Sequence, residues 1–119
     1  MRSSCRPAWA RAVADHRRAH RAALAGLCAA AWVSSAAAAS HTVTIEGMQF
    51  SPSTLTVHRG DRIVWVNKDL VPHTATAPRV FDSHSLAPSA SWAYVARRPG
   101  RYEYLCTLHP TMKATLVVQ

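Results

Sequence analysis

The segment Tyr102-Glu103-Tyr104-Leu105-Cys106-Thr107-Leu108-His109-Pro110-Thr111-Met112 begins as an alternating strand and ends as a loop carrying three metal-capable side chains. Tyr102, Tyr104 and Cys106 fall on one face of the strand, with Glu103 and Leu105 on the other, as the two-residue period of a β-strand requires. The loop reads Cys-x2-His-x2-Met, so a thiolate, an imidazole and a thioether lie within seven residues.

A second imidazole, His73, stands in Val71-Pro72-His73-Thr74, just after the apolar run Arg62–Asn67. Two histidines and a cysteine in a trigonal plane, with a methionine as a weak axial donor, form a blue-copper electron-transfer site. Structural zinc sites take four strong Cys or His ligands, and methionine is a poor substitute. His73, Cys106, His109 and Met112 are therefore the expected ligands of one type 1 copper ion.

The rest of the chain from His41 onward is β in pattern. Val43 and Ile45 alternate with Thr42, Thr44 and Glu46, and Leu55 and Val57 alternate with Thr54, Thr56 and His58. Arg62–Asn67 is apolar on both faces, as in a central strand. Ser91–Val95 and Thr115–Val118 complete the set. Ser51-Pro52-Ser53, Arg59-Gly60-Asp61, Asn67-Lys68-Asp69, Ala87-Pro88-Ser89 and Arg98-Pro99-Gly100 supply the turns. Short strands with regular turns imply an all-β sandwich or barrel.

The first 39 residues differ from the rest. They hold six arginines against Asp15, a net of 6 − 1 = +5, whereas residues 40–119 hold eight Lys or Arg against five acids, 8 − 5 = +3. Most of the formal charge of +8 thus belongs to the N-terminus, and it does not argue for nucleic-acid binding. A basic stretch through Arg21, the apolar run Ala22–Val33 and the small-residue string Ser34–Ser40 form a signal-peptide pattern, too short to span a bilayer. Residues 1–39 are expected to be a signal peptide cleaved near Ala39, and residues 40–119 a periplasmic domain with no integral membrane segment. Arg17-Arg18 keeps a twin-arginine route open beside general secretion. Cys5 and Cys28 leave with the leader, and Cys106 remains alone. A lone thiol in an oxidising compartment is a hazard unless a metal occupies it.

On Phe50-Ser51-Pro52, Gly60-Asp61, Val64-Trp65-Val66-Asn67, Pro72-His73-Thr74, Pro99-Gly100-Arg101-Tyr102 and the Tyr104–Lys113 stretch, the chain resembles the cupredoxins of the plastocyanin–azurin type, and among them the amicyanins. The resemblance implies a Greek-key β-sandwich with copper near one end. It also implies a hydrogen bond from the Thr74 N–H to the Cys106 sulfur, and a role for Asn67 in tying down the His73 loop. It implies an electron exit at His109 through an apolar patch of Leu108, Pro110, Pro72, Val71 and Met48. Leu108 stands where amicyanin-like loops usually carry proline, and Pro88-Ser89 replaces a common Pro-Gly turn. Neither departure removes a ligand.

The implied function is a soluble, monomeric one-electron carrier between periplasmic redox partners. Arg79, Arg97, Arg98 and Arg101 are candidates for steering an acidic docking surface. No nucleophile–base pair or paired carboxylates suggest catalysis. A copper storage or delivery protein is the alternative, and a metal-free β-sandwich or a small oxidase are more distant ones. Met48 reads as an apolar rim residue, His41, His58 and His84 as solvent-exposed, and Trp65 and Trp92 as core.

Overall fold

The computed structural model describes residues 35–119; the body of the expected leader, residues 1–34, lies outside them. All regular structure among the described residues is β. The strands are β1 (Ser40–Glu46), β2 (Gln49–Ser51), β3 (Thr54–Val57), β4 (Arg62–Asn67), β5 (Thr76–Ala77), β6 (Phe81–Asp82), β7 (Ser91–Val95), β8 (Gly100–Leu105) and β9 (Lys113–Val118). They form a four-stranded sheet in the order β2-β1-β4-β7 and a five-stranded sheet in the order β3-β9-β8-β5-β6. The pairs β1·β4 and β3·β9 are parallel, and the others antiparallel. The all-β sandwich expected from the turn spacing is therefore present.

Alternation dictates which side chains meet between the sheets. Val43 and Ile45 of β1, and Ile63 and Trp65 of β4, are wholly buried and face Tyr104, Ala114 and Leu116 of the second sheet. Each fully buried aliphatic side chain contributes roughly 1.5–3 kcal/mol. Trp65 lies against Phe81, Trp92 and Tyr104 with ring centroids 5.2, 5.6 and 5.6 Å away, so Trp65 is core as expected, and Trp92, only partly buried, packs against that core. Val64 and Val66, on the other face of β4, are half-buried, so the run that is apolar on both faces is indeed an interior strand. Ser89 adopts φ +67°, a left-handed conformation, which explains why glycine suits this turn.

One end of the sandwich is held by Asp61, which is only 5% exposed. Its Oδ1 accepts the Ala39 N–H (2.8 Å), and its Oδ2 accepts the His58 N–H (2.9 Å) and lies 3.0 Å from His41 Nε2. His41 is thus half-buried and tied to Asp61 rather than free in solvent; His58 and His84 are exposed as expected. The His58 N–H, then the Ala39 N–H and His41, hold the Asp61 carboxyl down at about 2, against an opposing push from burial. A depressed carboxyl contributes stability above its unfolded pKa, and that contribution is lost as pH falls through the folded value. Asp61→Asn should therefore melt with a shallower pH dependence than wild type between the ordinary aspartate value of 3.8 and about 2. Thermal melts across that interval check this, and parallel curves would refute it.

Candidate metal centre

β4 ends at Asn67 and β8 ends at Leu105, so both sheets deliver their next residues to the same pole. Asn67 is wholly buried and organises the first loop. Its Nδ2 donates to the carbonyls of Val71 (2.9 Å) and Leu86 (3.0 Å), and its Oδ1 accepts the Asp69 N–H (2.9 Å). The loop then closes on a two-way backbone pairing of His73 with Leu86 (3.1 and 2.7 Å).

His73 is wholly buried, and its Nε2 lies 2.8 Å from Asp69 Oδ2. Asp69 also accepts the N–H groups of Gly47 (2.7 Å) and Met48 (3.0 Å). The Met48 N–H leads the groups that lower the Asp69 carboxyl below its usual range, with the Gly47 N–H and His73 adding to it against a desolvation penalty. An ionised carboxylate only accepts, so the His73 proton sits on Nε2 and the Nδ1 lone pair is free.

The second loop folds back on itself. The Cys106 N–H donates to the Met112 carbonyl (3.1 Å) and the Met112 N–H to the His109 carbonyl (2.9 Å). Thr74 joins the two loops. Its N–H points at Cys106 Sγ (3.3 Å), and its Oγ1 accepts the Thr107 N–H (2.9 Å) and meets Thr107 Oγ1 (3.1 Å). The contacts that the resemblance implied for Thr74 and Asn67 are both present.

The donor atoms converge. His73 Nδ1 and His109 Nδ1 are 3.2 Å apart, and Cys106 Sγ lies 3.8 Å from the first and 3.6 Å from the second. The circumradius of that triangle, the product of its sides over four times its area, is about 2.1 Å. Bonds from a first-row ion to imidazole nitrogen and thiolate sulfur run about 2.0–2.3 Å, so one ion fits at the centre. Cys106 is wholly buried and Met112 nearly so, while His109 keeps partial exposure. Two imidazoles, a thiolate and a neighbouring thioether form a soft set that suits copper better than zinc.

Around this end lies exposed apolar surface: Leu108 (51%), Val71 and Met48 (both 42%), and Leu70, at 92% the most exposed of them. Leu70 and Asp69 escaped the sequence reading. Asp69 sat in a turn signal, and only its place four residues before His73 hinted at more. Arg97, Arg98 and Arg101 flank the β7–β8 turn, at the opposite end of the strands from Cys106. A six-residue strand puts them about 20 Å away. Lys68 and Lys113, next to Asn67 and Met112, are the cations at the metal-binding end.

A profile of the cupredoxin-like domain matches residues 20–118. The chain belongs to the cupredoxin-like family. Among curated relatives, amicyanin-alpha of Methylorubrum extorquens is 31% identical over 93 residues, covering 73% of this chain and 78% of that protein. Amicyanin of Paracoccus versutus is 26% identical over 83 residues, and the match spans 65% of this cupredoxin and 63% of that relative, just under two thirds of its length. Among solved structures, the Cu(I) form of an amicyanin mutant superposes with a TM-score of 0.65 at 26% identity, covering 71% of this chain and 86% of that one. A copper-containing nitrite reductase from Thermus scotoductus gives 0.63 at 25% identity over 71% of this cupredoxin but only 23% of that chain.

Asn67→Ala would leave the Val71 carbonyl and the Asp69 N–H without their partner and the Leu86 carbonyl with the His73 N–H alone. It should destabilise the metal-free protein by about 1–3 kcal/mol for each group that water fails to reach. Urea unfolding of the metal-free variant measures this, and an unchanged midpoint would show that the loop is held elsewhere.

Proposed function

We propose that this cupredoxin is a periplasmic one-electron carrier whose single copper is held by His73, Cys106 and His109 in a plane, with Met112 as axial donor. The triangle of donor atoms with the His73 lone pair already fixed is the observation that carries this reading. Bound copper supplies the Cu(II)/Cu(I) couple.

The protein's part is to keep the ligand geometry the same in both oxidation states. Asn67 fixes the His73 loop, Asp69 fixes the His73 tautomer, and the Thr74 N–H offsets part of the charge on the Cys106 sulfur. With four donors from the chain, a substrate finds no open position, so the site suits electron transfer rather than catalysis. The overlap with nitrite reductase is with a fraction of that chain and brings no reaction with it. Export is supported by the leader pattern of residues 1–39. No helix among the described residues is long and apolar enough to cross a membrane.

His109, half-exposed amid Leu108, Leu70, Val71 and Met48, is the exit for the electron. An apolar rim permits brief docking over a small interface, as transient redox complexes require. Steering of a partner toward this face would rest on Lys68 and Lys113 rather than on the distant Arg97, Arg98 and Arg101.

Absorption spectroscopy of the Cu(II)-loaded domain tests the reading. An intense thiolate-to-copper band is expected, and Cys106→Ser should abolish it while leaving the domain folded. A colourless complex that releases copper readily would favour storage or delivery instead. Met112→Leu should retain copper and raise the reduction potential, and Met112→Gln should lower it; identical potentials by voltammetry would remove Met112 from the axial position. Leu108→Glu should slow electron exchange with a partner while leaving spectrum and potential unchanged. Second-order rates by stopped flow check this, and an unaffected rate would move the exit away from His109.

A further inference from the structure

The Asp61 end of the sandwich lies far from the metal-binding end and takes no part in the proposed electron transfer, yet it holds a nearly buried carboxylate aimed at the backbone of Ala39. We infer that the leader is removed between Ala38 and Ala39, so that the new α-ammonium group of Ala39 forms an ion pair with Asp61 and locks the first strand in place. The inference rests on the export reading and deepens it. The step is hydrolysis by a leader peptidase: water adds across the Ala38–Ala39 amide, leaving a carboxylate on Ala38 and an ammonium group on Ala39.

Three observations converge on this bond. Ser35–Ala38 are exposed and have no regular structure. Ala39 is the first described residue held through both its backbone groups, its N–H on Asp61 Oδ1 (2.8 Å) and its carbonyl on the Arg62 N–H (2.8 Å). Ala36-Ala37-Ala38 also supplies the small-x-small pattern that leader peptidases read.

Cleavage one residue later, which the composition allows equally well, would delete Ala39. Asp61 Oδ1 and the Arg62 N–H would each lose their protein partner. Cleavage one residue earlier would place the new charge beyond the carboxylate. Cleavage before Ala39 keeps both hydrogen bonds and turns a neutral donor into a charged one, and charge-assisted bonds are roughly twice as strong as neutral ones. His41, the third residue of such a chain, would complete the grip on the same carboxylate through Nε2.

Intact-mass measurement on the periplasmic fraction of cells expressing the full chain is the first test. A mature chain beginning at Ala39 is expected. One beginning at Ser40, His41 or Ala38 would overturn this inference and leave the export reading standing. An unprocessed chain retaining Arg17 and Arg18 would overturn the export reading and this inference with it.

The second test compares purified domains beginning at Ala39 and at Ser40. The Ala39 form should melt a few degrees higher, and Asp61→Asn should erase the difference. Equal melting points, or a difference that survives the substitution, would overturn the lock. If Asp61→Asn does not fold, acetylating the terminal amine replaces it: the charge is lost while the N–H remains. Acetylation should lower the melting point of the Ala39 form and leave the Ser40 form unmoved; no effect on the Ala39 form would overturn the ion pair.

Discussion

The hydrogen bond from the Thr74 N–H to the Cys106 sulfur joins the loop that leaves β4 of one sheet to the residue that follows β8 of the other. Its direction is not set locally. Thr74 is aimed by the pairing of His73 with Leu86, and that pairing is aimed by Asn67, which grips the same Leu86 carbonyl and the Val71 carbonyl together. A single buried amide side chain at the end of β4 therefore places an imidazole from one sheet within 4 Å of a thiol from the other. The rest of the sandwich keeps the ends of β4 and β8 level, and its aromatic centre around Trp65 supplies the rigidity.

Each end of the sandwich is organised by an aspartate with three donors. Asp69 gathers Gly47, Met48 and His73 beside the metal-binding end, and Asp61 gathers Ala39, His41 and His58 at the other. Between them the core is almost wholly apolar. The division is physically sensible. Strand ends leave backbone N–H groups without ladder partners, and a carboxylate with two oxygens can satisfy several of them at once. At the metal-binding end the same device also fixes which nitrogen of His73 carries the proton.

The sequence was most legible where chemistry and period coincide. β4 and β7 match the apolar runs residue for residue, and the Cys-x2-His-x2-Met loop named three of the candidate ligands before any fold was considered. Three elements left little trace. β2, β5 and β6 have three, two and two residues, too few for an alternation to register. They exist because neighbouring strands offer them a ladder. Asp69 read as a turn former because Asn-Lys-Asp is a turn signal in its own right. His41 read as a surface residue because its partner, Asp61, lies 20 positions away, across a parallel pair that no local pattern announces. Leu70 was passed over for a similar reason: exposure of a leucine beside a metal loop is a property of the assembled surface.

The position of β9 has a consequence for the order in which the molecule can be built. The last of the described strands is an interior strand of its sheet, and it is the neighbour to which β3 is paired there. Val57 waits for Val118, about sixty residues downstream. β3 has no neighbour in its sheet until the Lys113–Val118 stretch comes to lie beside it. The five-stranded sheet can then close only in one late, long-range step, the kind that folds slowly.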